Sequence, residues 1–175
     1  MQSRRCRLFC VAATLFAFAL TPTLTLAQQE RTDRWRRSPE RWLQEQKNPD
    51  RARPTVPWYF EQDKKNPPPK EAVLFAGSAT IWLWDLEKWF PEYTTINRGF
   101  GGSQISDSLF FVDRLIIPHR PSTIVMYAGD NDVWAGKPAF ITALHFEEFI
   151  WKIHEALPDA QIVYISIRPS IAAGT

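Results

Sequence analysis

The sequence predicts an α/β domain built on a parallel sheet. Three observations carry that prediction. Short apolar runs at 72–76, 123–128 and 161–167 have strand length, and a fourth candidate lies at 93–97. The segments between them repeat apolar residues at helical spacing. Strand, helix, strand, helix, strand, helix, strand is the order that right-handed crossovers turn into a parallel sheet with helices packed on it.

Residues 1–27 read as a targeting segment. Arg4, Arg5 and Arg7 form a basic front, Leu8 to Leu20 is a mostly apolar run, and Thr25-Leu26-Ala27 offers small residues at cleavage spacing. Cleavage after Ala27 is expected, and with it a secreted or periplasmic location. The run is short for a membrane span, so no stable span is expected once the segment is removed. An uncleaved N-terminal anchor is the alternative. No lipobox-like cysteine ends the run, because Cys10 comes too early. Cys6 and Cys10 are the two cysteines of the chain and both lie in this segment. The mature chain is therefore expected to have no disulfide, no thiolate metal site and no cysteine nucleophile. Losing three arginines takes the formal charge from +2 to −1. The basicity belongs to the leader, and nothing global points to nucleic acid.

Residues 28–57 form a polar arm of mixed charge, with Ser38 and Pro39 at the cap and first position of a short helix. A solvated arm is the favoured reading over a basic patch, because acidic residues are interspersed. The aromatic cluster Trp58-Tyr59-Phe60 predicts a short helix packed on the domain, and Pro67-Pro68-Pro69 a stiff lead-in. The domain proper is placed at 58–175.

Ala72–Ala76 is the expected first strand and Thr80–Phe90 the first helix of the repeat. Tyr93–Asn97 is the second strand. Ser103 is placed as the cap of the next helix, which carries Ile105, Leu109, Val112, Leu115 and Ile116 at helical spacing until Pro118 and Pro121 stop it. Thr123–Ala128 is almost continuously apolar, as in a strand covered on both faces. Pro138–Leu157 is a long helix, and Gln161–Ile167 the last strand.

Sites in such sheets lie outside the carboxyl ends of the strands. Three strand-end loops carry small and polar residues: Gly77-Ser78-Ala79-Thr80, Gly99-Phe100-Gly101-Gly102-Ser103 and Gly129-Asp130-Asn131-Asp132. Each alone is an ordinary turn. Together they predict a pocket for an oxyanion or a polarised carbonyl, with donors near Ser78–Ala79, at Gly102 and on the Asn131 amide.

At these loops the chain resembles the SGNH/GDSL hydrolases. Phe75-Ala76-Gly77-Ser78-Ala79-Thr80-Ile81 is similar to the family's first block, Asn97-Arg98-Gly99-Phe100-Gly101-Gly102-Ser103 to the second, and Tyr127-Ala128-Gly129-Asp130-Asn131-Asp132 to the third. The resemblance runs from about Leu74 to Pro169. It implies a three-layer αβα, flavodoxin-like fold and an acyl-ester or acetyl hydrolase without cofactor or metal. It also implies Gly102 and Asn131 as oxyanion donors, and a small-molecule, glycan or lipid ester as substrate.

Two departures qualify that implication. The family's nucleophilic serine falls at Ala79, which has no nucleophile. Ser78, one residue earlier, is then the candidate nucleophile, with a helix cap as its competing role and Thr80 a weaker candidate. The family's late Asp-x-x-His block, which supplies the base, has no counterpart before Thr175. His119, His145 and His154 are expected on the surface, His145 in a polar stripe with Glu148, Lys152 and Glu155. A serine without a base is a poor nucleophile. The expectation is a C-terminally truncated hydrolase without turnover, its last strand an uncovered edge. The alternatives are a non-catalytic relative that binds an acylated glycan or lipid, and a nucleotide binder that would lack every glycine-rich phosphate signature. Trp82 and Trp84 are expected in the core, while Trp134 is the open candidate for a sugar platform.

Overall fold

The computed structural model describes residues 56–168. The targeting segment, the arm at 28–55 and the residues beyond 168 lie outside this range.

Four parallel strands form one sheet: β1 (Val73–Gly77), β2 (Thr95–Gly99), β3 (Thr123–Tyr127) and β4 (Gln161–Tyr164). Their order is β2-β1-β3-β4. Val73 is in register with Thr95 on one side and Thr123 on the other, and Thr123 with Gln161. The chain moves outward from β1 to β2, then returns past it to β3. This is the flavodoxin-like reversal, and it places a crevice outside the ends of β1 and β3.

Period-two alternation sends β1 and β3 side chains to both faces. Leu74, Ala76, Ile124 and Met126 enter the larger core. There they meet α1 (Val56–Lys65), α4 (Ile105–Phe110), α5 (Val112–Leu115) and α7 (Ala139–Ala156). Phe75 and Tyr127 face the other way, onto α2 (Ala79–Trp82) and α3 (Leu86–Trp89), in a smaller cluster with Ile81, Leu86, Trp84 and Phe90. The result is the expected three-layer αβα arrangement. Trp84 packs edge-on against Phe75 and Phe90, as core packing predicts. The one-turn helix α6 (Asp130–Trp134) follows β3.

Several elements differ from expectation. The helix expected over Thr80–Phe90 is two helices, α2 and α3. The Ile81 carbonyl closes the last turn of α2 by accepting from the Trp84 N–H at 3.0 Å, and it also accepts from the Asn97 side-chain amide of β2 at 2.7 Å. Asp85 then restarts the chain by accepting from the Lys88 N–H. Strand β2 lies two residues later than expected, at Thr95–Gly99, and carries Arg98 into the interior. The helix expected from Ser103 breaks at Phe111 and ends in a 3₁₀ turn, Ile117–His119. Its N-cap is Gln104, whose N–H donates to Asp107 at 2.8 Å, and Ser103 has another role described below. Helix α1 spans Val56–Lys65, and Val56 and Tyr59 are buried on it.

Strand β4 ends at Tyr164 rather than Ile167 and is an edge strand among the described residues, with Val163 exposed. No helix among the described residues is long and apolar enough to cross a membrane.

Candidate active site

Local geometry first brings the loops after β1 and β2 together. Gly77 ends β1 at φ +133°, a conformation side chains rarely adopt. A Cβ there would lie 2.0 Å from the Tyr127 carbonyl oxygen, so only glycine lets β1 leave the sheet against β3. The freed Gly77 carbonyl accepts from the Phe100 N–H at 2.9 Å and from the Ser103 hydroxyl at 3.1 Å. Ser103 is fully buried. Its hydroxyl therefore ties two loops together instead of capping a helix.

The loop after β3 joins them. Asn131 lies in the first turn of α6 rather than in an open loop. Its side-chain amide donates to the Ser103 carbonyl at 2.8 Å, and Gln104 donates its own amide to the Asn131 carbonyl at 3.1 Å. Asn131 is thus held beside the turn that contains Gly102, which is exposed at φ +79°. The convergence expected of the three loops is present in the structure.

Ser78 occupies the N-cap position of α2 and is 4% exposed. Its backbone N–H donates to the Tyr127 carbonyl at 3.0 Å, but its hydroxyl makes no capping bond. The expected cap role is therefore realised in position and not in chemistry. Ala79 is the first residue of α2, and Thr80 beside it is exposed.

The histidines correct the sequence expectation. His145 is not on a polar stripe: it is fully buried, on the same helical ladder as Ile141, Phe149 and Ile153 at four-residue spacing. Its Nδ1 lies 3.3 Å from the Lys137 ammonium. His119 is buried too, with its Nε2 3.3 Å from an Arg98 guanidinium nitrogen and 3.5 Å from Asp63. Burial and then the Arg98 charge push its pKa below the ordinary 6.5. His154 is exposed, as expected, and its Nε2 lies 3.2 Å from the Ala160 carbonyl oxygen. These contacts commit the histidines to structural positions.

Two buried polar clusters lie outside the sequence expectations. In the first, Arg98 reaches back to Asp63 of α1 at 2.6 Å and lies over the Tyr59 ring at 4.8 Å, while the Tyr59 hydroxyl donates to the Gly99 carbonyl at 2.7 Å. It pins α1 to the end of β2. In the second, Asp132 and Lys137 form an ion pair that is almost completely buried. Burial raises the Asp132 carboxyl above the ordinary value, opposed by the Lys137 charge and by the Ile105 N–H that donates to it. The one usable hint was the spacing of His145 from Ile141 and Phe149.

On the crevice side, the Tyr127 hydroxyl donates to Asp130 at 2.6 Å, and the exposed Arg168 stands 3.7 Å from the same carboxylate. Burial is the main cause that raises the Tyr127 pKa, and the Asp130 contact adds to it. Trp134, at the end of α6, is 81% exposed. Among the described residues no group of histidine, cysteine, aspartate and glutamate could hold a metal ion.

No protein-family model matches the chain, and no curated protein matches it in sequence. Solved structures do match its fold. A GDSL-like lipase from Bacteroides thetaiotaomicron aligns at TM-score 0.55 and 20% identity, over 64% of this chain and 58% of that one. A provisionally assigned platelet activating factor from Streptococcus pneumonia aligns at 0.58 and 21%, over 63% and 52%. A provisionally assigned acylhydrolase from Bacteroides fragilis aligns at 0.53 and 20%, over 62% and 55%. The aligned region spans little more than half the length of those chains. The chain thus has an SGNH/GDSL hydrolase-like fold.

Proposed function

We propose that this chain is an SGNH/GDSL-type acyl-ester protein, secreted or periplasmic, whose strand-end loops hold the carbonyl oxygen of an ester and which does not turn it over. The observation that carries this reading is the bond from the Asn131 amide to the Ser103 carbonyl. It sets a neutral side-chain donor beside the Gly102 turn, on the crevice edge of the sheet. Donors fixed in advance around a carbonyl oxygen stabilise the charge that develops there. The substrate class is a small-molecule, glycan or lipid ester.

Hydrolysis needs more than that pocket. Ala79 stands where the family's nucleophile belongs, and the contacts of the three histidines commit them to other groups. One observation favours a second reading, turnover by Ser78: its hydroxyl is not consumed as a helix cap.

The two readings separate in one assay. p-Nitrophenyl acetate hydrolysis by the chain is expected to equal that of Ser78→Ala. A clear rate that disappears in Ser78→Ala makes Ser78 the nucleophile and ends the no-turnover reading. Ester binding is followed separately, through the Gly102 amide and Asn131 side-chain resonances on addition of a non-hydrolysable ester analogue. Unmoved resonances at saturating analogue remove the pocket from the proposal.

A further inference from the structure

The Lys137 ammonium is almost wholly out of water, yet each of its three N–H donors has an acceptor. Asp132 Oδ1 takes one, Ser106 Oγ is at 3.4 Å and His145 Nδ1 at 3.3 Å. These acceptors come from α6, α4 and α7 respectively. Because Lys137 can only donate, His145 Nδ1 accepts, and its ring proton is assigned to Nε2. The second Asp132 oxygen, Oδ2, accepts from the Ile105 N–H at 3.0 Å. Ile105 opens α4 directly after the Gly102-Ser103-Gln104 loop. Asp132 follows Asn131, and the Lys137 N–H donates back to the Asp132 carbonyl at 3.0 Å, which closes the segment 132–137 on itself.

We propose that Lys137 is a positioning residue: it keeps the Asp132 carboxylate charged in the interior, and that carboxylate holds the start of α4, and so the Gly102 turn, at a set distance from Asn131. Asn131 and Asp132 then divide the work of one motif. Asn131 faces the crevice while Asp132 faces inward and is pulled tight by a buried cation. A buried ion pair is a poor source of stability in itself, because desolvation opposes the Coulomb gain. Its value here is directional, since the three acceptors of Lys137 lie on three different helices. The consequence for an oxyanion pocket rests on the reading above, but the positioning itself does not.

The experiment follows the Ile105 amide and the Asn131 side-chain amide by ¹⁵N NMR from pH 5 to 8. The variants are Lys137→Met, Asp132→Asn/Lys137→Met and, as a surface control, Lys152→Met, whose lysine pairs with the exposed Asp113. Groups near Asp132 that also carry or gain charge are Asp107 of α4, His145 of α7 and Tyr164 of β4. In the native chain both resonances are expected to stay flat with pH. In Lys137→Met, Asp132 loses its cation and takes up a proton within the range, so both resonances shift with one common midpoint. In the double variant the profile is flat again, at the low-pH position of Lys137→Met. A merely structural loss of packing would move resonances without creating and then abolishing a titration. Native, pH-independent shifts in Lys137→Met overturn the proposal, as does a titration that survives in the double variant. Where Lys137→Met does not fold, the double variant decides: displaced Ile105 and Asn131 resonances support the proposal and native ones overturn it. None of these readouts depends on whether an ester is hydrolysed. Failure here leaves the proposed function standing, and failure of the ester assay leaves this inference standing.

Discussion

Gly77→Ala tests whether the corner at the end of β1 is set by backbone contact. The change adds one methyl at a residue with φ +133°, 2.0 Å from the Tyr127 carbonyl oxygen, where real Cβ contacts stay beyond 3.0 Å. The strand end must therefore move by about 1 Å, and the obstacle is backbone, which no rotamer change relieves. Gly136→Ala is the matched control, with φ +71° and nothing within 4 Å of the added methyl. Both changes carry left-handed strain of about 1–2 kcal/mol, offset by about 0.4–1 kcal/mol of unfolded-state entropy. The control should thus cost about 1 kcal/mol. Gly77→Ala adds overpacking of about 1–3 kcal/mol. It also loses the bond from the Ser78 N–H to the Tyr127 carbonyl, 3.0 Å long, for about 1 kcal/mol. The expected difference between the two variants is then about 2–4 kcal/mol, a large share of a domain stability of about 5–15 kcal/mol. Urea unfolding followed by tryptophan fluorescence measures it, through the midpoint at unchanged slope. Equal losses in the two variants would refute the reasoning, because they would show that β1 and β3 can separate at that corner without cost.

Tyr59→Phe removes only the hydroxyl bond to the Gly99 carbonyl, and should cost about 1–3 kcal/mol in thermal or urea unfolding. It should leave the Asn131 and Gly102 resonances in place, since Asn97 still holds the Gly99 N–H at 2.9 Å. His119 supplies a pH test. Its folded pKa lies below the ordinary 6.5, so near and below that value the unfolded chain binds more protons than the folded one. The stability it contributes is complete above about 6.5 and falls away as pH drops toward the folded value. The melting temperature of His119→Gln should therefore fall less steeply than that of the native chain between pH 6.5 and 5. Parallel profiles would refute this, because they would mean that His119 binds protons alike in the folded and unfolded chain.

How much of this was legible beforehand differs from residue to residue. Val73–Gly77 and Thr123–Tyr127 were readable because a strand buried on both faces must be apolar throughout, and that is a local property of the chain. The loops were readable because a chain that leaves a parallel strand sharply needs glycine and small polar residues there. The break between Trp82 and Leu86 was not readable: the turn that ends α2 is joined by Asn97 from another strand, and no local pattern records its reach to Ile81. His145 was misplaced because the residues around it in sequence are polar while its ladder of Ile141, Phe149 and Ile153 is apolar, and its imidazole is accommodated by a lysine eight positions away.

The sequence by itself therefore determined the class of fold and the three loops that meet at the strand ends, because periodicity and turn chemistry are written in neighbouring residues. It also determined that Ala79 offers no nucleophile. Only the tertiary structure decided what holds those loops together. Ser103 ties β1 to β2, Asn131 meets the Ser103 carbonyl, and Lys137 draws Asp132 inward through contacts between residues 5 to 28 positions apart. Hydrogen bonds and buried charges act over a few ångströms of space and are indifferent to distance along the chain, so their partners appear only once the chain has folded.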